Sequence, residues 1–223
     1  TQFPFDIVGF DLDGTLLDTS GDLGMALNHA LRRAGRSEIP IDQVANLIGG
    51  GARMMLERAL AATGGADGAD TATMHRDLLA YYEANIAVHT RLFPGGLEML
   101  EALDHHGVKL ALVTNKLENL ARKLLDTLGL TARFATILGG DTLGPGRSKP
   151  EPDLLLEAAA RLGSGRMAYV GDTTYDTRAA RAAGMPCVGV RFGFLDVPLE
   201  DMGASVTIGH YDELVPTLLS LAA

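Results

Sequence analysis

Two acidic side chains follow the first apolar stretch of the chain. Residues 5–10 form a short, mostly apolar run that predicts a buried strand, and Asp11 and Asp13 come immediately after it. Carboxylates at the end of a buried strand are costly unless a partner neutralises them. Asp11 is therefore a candidate nucleophile for phosphoryl transfer, and Asp13 a candidate acid that protonates a leaving oxygen and later deprotonates water.

Three further groups of polar residues follow apolar runs in the same way. Thr114 and Asn115 follow the run LALV, Lys149 lies in RSKPEPD, and Asp172 and Asp176 lie in AYVGDTTYD. Ligands of open parallel sheets bind beyond the carboxyl ends of the strands, so we expect these residues to meet the first acidic pair at one sheet edge. Carboxylates gathered there repel one another unless a divalent cation neutralises them, and Mg²⁺, which prefers oxygen ligands, is the natural candidate.

Several of these residues also suit a phosphate ester. Thr114 offers a hydroxyl group and Lys149 a fixed positive charge to the oxygens of a phosphoryl group in transfer. Gly14 and Thr15 permit backbone N–H groups to approach a phosphate in a tight loop. The sequence thus predicts a site that holds both a cation and a phosphoryl group.

Each of these residues, taken singly, also has a purely structural interpretation. Asp176 could cap the helix that follows it, Thr114 and Asn115 suit an ordinary turn, and Lys149 could be a solvated loop charge. The acidic pair after the first strand is harder to explain structurally. The four groups together favour a functional site.

The elements that must position these residues form two patterns. Residues 20–88 show helical spacing of apolar residues, with Thr19 and Ser20 as possible caps of the first helix and no good strand. After residue 96, nearly all-apolar strands alternate with helices, which predicts a mainly parallel α/β sheet that residues 1–15 rejoin. We expect helices near 52–62, 72–88, 96–106, 117–128, 152–162, 176–183 and the C-terminus, and strands near 109–113, 134–138, 167–170, 187–190 and 205–208.

Composition narrows the class of protein. The chain has 223 residues, 47% of them hydrophobic, and a net charge of −9, which is typical of a globular protein but unfavourable for binding nucleic acid or anionic membranes. No apolar run approaches the roughly 20 residues that cross a bilayer. Cys187 is the single cysteine, so no intrachain disulfide is possible, and with no recognisable export signal we expect a cytoplasmic protein.

Four segments together resemble the motifs of the haloacid dehalogenase superfamily. They are DLDGTLLDT, VTNK, SKPEPD and GDTTYDTRAARAAG, in the family's order. The resemblance implies a Rossmann-like core (residues 1–15 and 91–223) with an inserted helical cap (residues 16–90).

The same resemblance assigns roles to the candidate residues. It implies that Asp11 is the nucleophile and Asp13 the general acid and base. Thr114 and Lys149 would hold the phosphoryl group. The Mg²⁺ ligands would be Asp11, the main-chain carbonyl of Asp13, Asp172 and Asp176.

Residues that differ between branches of the superfamily narrow the set of reactions that this chain could catalyse. Dehalogenases of this family generally lack the second aspartate of the first motif, so Asp13 points to phosphoryl transfer. Phosphonoacetaldehyde hydrolases need a cap lysine, and residues 16–90 contain none. Phosphomutases similar to β-phosphoglucomutase and sugar-phosphate phosphatases stay open as alternatives.

Two segments resemble bacterial phosphoglycolate phosphatases, namely DLDGTLLDTSGDLGMALNHALRRAG, which runs from the first motif into the predicted cap, and IGGGARMMLERAL within it. The resemblance implies a small phosphate ester as substrate, 2-phosphoglycolate first. We expect the protein to be a monomer or homodimer. The resemblance also implies that the glycine loop around Gly50 closes over the site. Arg53 could then meet a substrate carboxylate, or could equally lie on a solvated helix face.

Overall fold

The computed structural model describes residues 3–221 and contains the predicted alternation of strands and helices. In chain order the elements are β1 (Ile7–Phe10), β2 (Leu17–Asp18), α1 (Ser20–Arg33), α2 (Ile41–Val44), α3 (Ala52–Ala62), α4 (Thr71–Ala84), β3 (Arg91–Leu92), α5 (Gly96–His105), β4 (Lys109–Val113), α6 (Glu118–Thr127), β5 (Thr136–Leu138), α7 (Asp153–Arg161), β6 (Met167–Gly171), α8 (Thr174–Ala182), β7 (Cys187–Val190), β8 (Val206–Ile208) and α9 (Leu214–Ser220).

Six of these strands form one parallel sheet in the order β5-β4-β1-β6-β7-β8. The apolar sequence of β1 is buried along its whole length because helices cover both faces of the sheet. Val8 and Phe10 pack into one layer of the core and Ile7 into the other, as the alternation of side chains in a strand requires. The predicted parallel α/β fold class is confirmed.

The central position of β1 decides where the site lies. β4 and β6 flank it on either side, so the carboxyl ends of these three strands meet at the point where the order of strands along the chain reverses. Ligands of open α/β sheets bind at such a switch point. Each of the three strands leads directly into one group of candidate residues.

The helices α1 to α4 make up a helical segment (residues 20–84) that contributes no strand to this sheet. Its helices pack on one another, α1 against α4 most extensively, and their apolar faces join the larger core cluster. The predicted helices are present, although α4 ends at Ala84 rather than residue 88. The short helix α2 and the 3₁₀ turn Ala45–Leu47 were not predicted, because elements of three or four residues leave no periodic pattern. The cap boundaries at residues 16 and 90 stay a prediction.

A two-stranded antiparallel ribbon lies where the chain enters and leaves the helical segment. β2 pairs with β3, with Leu17 opposite Leu92 and Asp18 opposite Arg91. The ribbon was not foreseen, since strands of two residues carry no alternation to detect. It brings together the two segments of chain that connect the sheet with the helical segment. Within residues 3–221, no helix has the length and apolar character that spanning a membrane requires.

Asp22, in the first turn of α1, ties these two connecting segments together. Its buried carboxylate accepts hydrogen bonds from the backbone N–H of His89 at 3.0 Å and from the backbone N–H and hydroxyl group of Thr90 at 2.9 and 2.7 Å. Buried N–H groups that lose their acceptor cost free energy. This carboxylate therefore fixes the geometry of the junction.

We expect Asp22→Ala to lower the free energy of unfolding by about 2 to 4 kcal/mol, because it leaves several buried donors without a partner. Urea unfolding followed by circular dichroism measures the change. Asp67→Ala, at an exposed loop position with no side-chain hydrogen bond to any of residues 3–221, should change stability by less than about 0.5 kcal/mol. Equal unfolding midpoints for the two variants would contradict the role given to Asp22.

Candidate active site

A cavity of about 380 Å³ lies between the carboxyl ends of the central strands and the helical segment. Predicted site residues from both sides line it, namely Asp11, Asp13, Thr114, Asn115 and Lys149 from the sheet side, and Gly50 and Arg53 from the helical segment. Asp172 and Asp176 lie behind this surface and are fully buried. The sequence-based expectation that strand ends bring these groups together is met.

Three carboxylates form a cluster at the end of β1 and β6. One carboxylate oxygen from each of Asp11, Asp172 and Asp176 lies within 4.8 Å of the others. Burial raises the pKa of Asp11 to about 6, the neighbouring charges of Asp176 and Asp13 add to the rise, and Lys149 opposes it. Burial, together with the charges of Asp176 and Asp11, also raises the pKa of Asp172 well above its ordinary value. The cluster therefore carries more negative charge than its surroundings balance.

Lys149 supplies part of the missing positive charge. Its buried ammonium group lies 2.6 Å from Asp176 Oδ1, 3.0 Å from Asp11 Oδ1 and 2.9 Å from the hydroxyl oxygen of Tyr169. Burial acts to lower the pKa of Lys149, but the carboxylates of Asp11 and Asp176 outweigh it and the pKa stays above its ordinary value. Lys149 is thus not the solvated loop charge that its position before Pro150 also allowed.

Asp176 combines the structural and the functional interpretation of its position. Its Oδ2 accepts from the backbone N–H groups of Asp172 and Thr173 at 3.2 and 3.0 Å and from the Thr173 hydroxyl at 2.8 Å, at the start of α8. Its Oδ1 faces Lys149. Capping the helix therefore orients the second oxygen toward the acidic cluster.

The loop after Asp13 holds Asp172 in place. Thr15 Oγ1 and the backbone N–H of Phe194 donate to Asp172 at 2.8 and 2.7 Å. At Gly14, where φ is +82°, a Cβ atom would stand 2.2 Å from Asp172 Oδ2, so only glycine permits this approach. The carboxylate is thereby fixed against the end of β1.

The backbone N–H groups of Gly14 and Thr15 do not face the cavity as expected. They donate to the carbonyls of Leu17 and Leu12, which close the turn between β1 and β2. Neither residue lines the cavity. The structure places both behind the carboxylates, because the turn needs those N–H groups to close.

Asp13 lies outside the carboxylate cluster and has its own cation. Both of its carboxylate oxygens are 2.9 Å from Lys116 Nζ, and the Thr19 hydroxyl donates to it at 2.7 Å. Thr19 therefore does not use its side chain to cap α1. Lys116 was not among the predicted site residues, although it stands in the motif VTNK two residues after Thr114.

Lys116 also contacts the helical segment. Its ammonium group lies 4.6 Å from the centre of the Tyr82 ring, on α4. The contact is made over the ring, and the buried Tyr82 hydroxyl completes no hydrogen bond with any described residue. Tyr82 gave no sequence signal, because one aromatic residue at helical spacing is indistinguishable from core.

Thr114 and Asn115 follow β4 at the floor of the cavity. The Thr114 hydroxyl accepts from the backbone N–H of Lys116 at 3.2 Å, and the Asn115 side-chain amide donates to the carbonyl of Lys149 at 2.8 Å. The buried Oδ1 of Asn115 has no hydrogen-bond partner among residues 3–221, and the buried Oδ1 of Asp11 has only the ammonium group of Lys149 beside it. The floor thus presents polar side chains to whatever binds there.

A glycine loop (residues 49–51) lies against the sheet side of the cavity. All three glycines have positive φ, and a Cβ on Gly50 would approach the Tyr175 hydroxyl to 3.0 Å. Arg58, on α3, donates to the carbonyls of residues 47–49 at 3.1 to 3.2 Å and lies 3.4 Å from the same hydroxyl. Tyr175 and Arg58, which the sequence analysis did not single out, thus hold the loop over the site.

Arg53 lines the cavity with an exposed side chain and forms no ion pair or hydrogen bond within residues 3–221. Partial burial and the nearby charge of Arg53 lower the pKa of His75, on α4, which lines the same wall. Both interpretations of Arg53 therefore describe part of its environment. It is solvated, and it also faces the cavity.

Comparison with known proteins places this geometry in a family. Residues 8–190 match the family described as "Haloacid dehalogenase-like hydrolase". A phosphoglycolate phosphatase of Agrobacterium fabrum is 40% identical over 212 residues, covering 94% of this chain and 90% of that protein. One from Caulobacter vibrioides is 38% identical over 217 residues, covering 96% and 91%.

Comparison with solved structures also identifies phosphatases as similar proteins. The crystal structure of a predicted phosphoglycolate phosphatase from Haemophilus somnus 129pt superposes with a TM-score of 0.88 at 28% identity, covering 96% of this chain and 98% of that one. Because its relatives are phosphatases and its fold is that of the family, the chain is an enzyme that hydrolyses phosphoric monoesters. Because the family match spans most of the chain and includes the central strands with their acidic residues, this protein belongs to the haloacid dehalogenase-like hydrolase family.

Proposed function

We propose that this enzyme hydrolyses a small phosphate monoester, 2-phosphoglycolate first, through a phosphoryl group carried on Asp11 with the help of Mg²⁺. One observation carries the proposal. Asp11 lines the cavity, and its buried Oδ1 lies 3.0 Å from the ammonium group of Lys149. A carboxylate that faces a cavity beside a fixed positive charge is suited to attack a phosphoryl group.

In the first half of the proposed reaction, an Asp11 oxygen forms a bond to phosphorus while the bond from phosphorus to the ester oxygen breaks. Asp13 donates its proton to that leaving oxygen, which departs as an alcohol. The ammonium group of Lys149 and the hydroxyl group of Thr114 stabilise the charge on the phosphoryl oxygens. Asn115 lines the cavity beside Thr114 and would contact the substrate there.

In the second half, water attacks the phosphorus of the acyl phosphate. Asp13, now ionised, takes the proton from that water. Inorganic phosphate leaves, and Asp11 returns to its carboxylate form. One pair of carboxylates thus serves both steps, with the nucleophile and the acid kept apart because each has its own lysine.

The acidic cluster fits the cation that the family implies. Its donors are all oxygens, three of them lie within 4.8 Å of one another, and burial with mutual repulsion raises the pKa of two of the carboxylates. Asp11, Asp172 and Asp176, with the main-chain carbonyl of Asp13, would hold Mg²⁺. When bound, the ion would neutralise carboxylate and phosphate charge that Lys149 alone leaves unbalanced.

The helical segment is the proposed cap over the site. It would close to exclude water during transfer and open to release products, with the glycine loop around Gly50 at the moving edge. Arg53 at the solvated side would attract an anionic substrate. The names of the relatives support 2-phosphoglycolate as the substrate.

Asp11→Asn should lower kcat for p-nitrophenyl phosphate with Mg²⁺ by at least about 10³-fold, since the amide cannot form the acyl phosphate. Asp13→Asn should also lose activity, by about 10² to 10⁴-fold. Release of p-nitrophenol is followed by absorbance, with the loop variant Asp67→Asn as a control. If Asp11→Asn retained the wild-type rate, Asp11 would not be the nucleophile.

A panel of metabolite phosphates separates the candidate substrates. We expect the highest kcat/KM for 2-phosphoglycolate, with release of inorganic phosphate and no need for a bisphosphate primer. A preference for a hexose phosphate would refute the substrate while leaving the phosphatase in place. Phosphate that stays on the sugar, with dependence on a bisphosphate, would instead identify a phosphomutase.

Metal removal should make the stability of the enzyme depend on pH through Asp11. The pKa of Asp11 is about 6 in the folded chain, against an ordinary value of 3.8. The folded state therefore binds this proton more tightly than the unfolded state does. The resulting gain in the free energy of unfolding is complete below about pH 4 and is lost as the pH rises through 6. In EDTA, Asp11→Asn should therefore melt at least about 4 °C above the wild type at pH 7.5 and close to it at pH 4.5. Millimolar Mg²⁺ should raise the wild-type melting temperature at pH 7.5 more than that of the variant. Identical melting curves at both pH values would contradict the raised pKa.

A further inference from the structure

We propose that Lys116 and Tyr82 form a carboxylate-binding subsite that selects the leaving group of the substrate and, when occupied, releases Asp13 for proton transfer. The proposal rests on the proposed function and extends it to the part of the substrate that is not transferred. It concerns two residues that make no contact with the substrate in the reaction steps above.

Lys116 is built into the site rather than exposed at its edge. Its side chain is 6% exposed, yet the residue lines the cavity. Burial acts to lower the pKa of Lys116, but the carboxylate of Asp13 and the neighbouring Tyr82 outweigh it, so the pKa stays above its ordinary value. An ammonium group enclosed in this way is strongly unfavourable without an anion beside it.

The ion pair engages both carboxylate oxygens of Asp13, the oxygens that would carry the transferred proton. Both carboxylate oxygens accept from Lys116 Nζ at 2.9 Å, and one also accepts from the Thr19 hydroxyl. An acid must present an O–H to the leaving oxygen, so Asp13 has to turn away from Lys116 before it can act. Turning away would strand a buried cation unless another anion takes the place of Asp13.

The leaving group of a phosphorylated hydroxy acid supplies that anion. In 2-phosphoglycolate the carboxylate carbon is only two bonds from the ester oxygen that Asp13 must protonate. A substrate that brings this oxygen to Asp13 therefore brings its carboxylate to Lys116. A neutral leaving group, such as a sugar, cannot replace the charge that Asp13 withdraws.

Tyr82 adds a second, independent indication of a polar ligand at the same point. Its hydroxyl is buried next to Lys116 and completes no hydrogen bond within residues 3–221. Unsatisfied buried hydroxyls are rare in folded proteins because they cost free energy. A carboxylate on Lys116 would accept from this hydroxyl, so one ligand would satisfy both groups.

Lys116 rather than Arg53 should therefore dominate discrimination. Arg53 is exposed, and solvent screens its attraction for a carboxylate. Lys116 is desolvated, so an interaction with it is stronger and its loss more costly. Arg53 would attract any anionic substrate, and Lys116 would discriminate between leaving groups with and without a carboxylate.

The test compares two esters that differ at one position, 2-phosphoglycolate and 2-hydroxyethyl phosphate, which carries a hydroxymethyl group in place of the carboxylate. The measured quantity is the ratio of their kcat/KM values. We expect the wild type to favour 2-phosphoglycolate and Lys116→Met to lower the ratio by about 10- to 100-fold. Tyr82→Phe, which removes only the unpartnered hydroxyl, should lower it by about 3- to 10-fold.

Matched controls use residues of the same type outside the cavity. Lys123→Met, on the exposed face of α6, and Tyr81→Phe, next to Tyr82 on α4, should leave the ratio unchanged. A merely structural role of Lys116 would lower turnover of both esters equally and leave the ratio at its wild-type value. Melting temperatures establish that each variant is folded, and Tyr82→Phe carries the test if Lys116→Met does not fold.

The two levels of the proposal fail in different ways. Wild-type enzyme that hydrolyses neither ester nor p-nitrophenyl phosphate would refute the proposed function. Wild-type enzyme that hydrolyses both esters equally well, or an unchanged ratio in the folded variants, would refute the subsite while the phosphatase stands. A ratio that falls in Lys116→Met and Tyr82→Phe but not in the controls supports it.

Discussion

The crowding of buried carboxylates at the end of β1 is the constraint on which the rest of this structure depends. Asp11, Asp172 and Asp176 are brought within a few ångströms of one another in an environment that disfavours their charges. Buried charge is tolerated only where partners or a cation compensate for it. Lys149 offsets part of the negative charge. The negative charge that remains favours the binding of a cation and of an electrophilic phosphoryl group.

Much of the surrounding structure serves to hold these carboxylates against their own repulsion. The positive φ of Gly14 and the missing side chain of Gly171, where a Cβ would stand 2.3 Å from Asp176, let the backbone approach the acids closely. The Thr15 hydroxyl and the start of α8 then supply hydrogen bonds to Asp172 and Asp176. Gly14, Thr15 and Gly171 thus orient the carboxylates, and none of the three lines the cavity. This explains why the turn after β1 uses its own N–H groups internally.

The fold, and the residues that line the sheet side of the cavity, could be predicted from the sequence for one physical reason. Parallel strands buried on both faces are apolar runs, and the first polar residue after each run marks a strand end, as Asp11, Thr114 and Asp172 do. The ribbon between β2 and β3 left no such mark, and neither did Tyr82 or Tyr175, which meet the site only because helices and loops fold back onto the sheet. Lys116 lies within a recognised motif, but its partner Asp13 is 103 positions away in the chain, so the sequence does not indicate their contact.

The residues that escaped sequence reasoning are those at the boundary between the sheet and the helical segment, and this has a physical consequence. The acidic cluster is built from the ends of β1 and β6 and the start of α8, so it contains no residue of the helical segment. Lys116 and Tyr175, in contrast, contact Tyr82 and Arg58 across the boundary. In the proposed mechanism, replacing residues of the helical segment would therefore alter which leaving group is accepted without disturbing the carboxylates that perform the transfer. Such an arrangement would separate reactivity from selectivity, and the selectivity would depend on contacts that no single stretch of sequence contains.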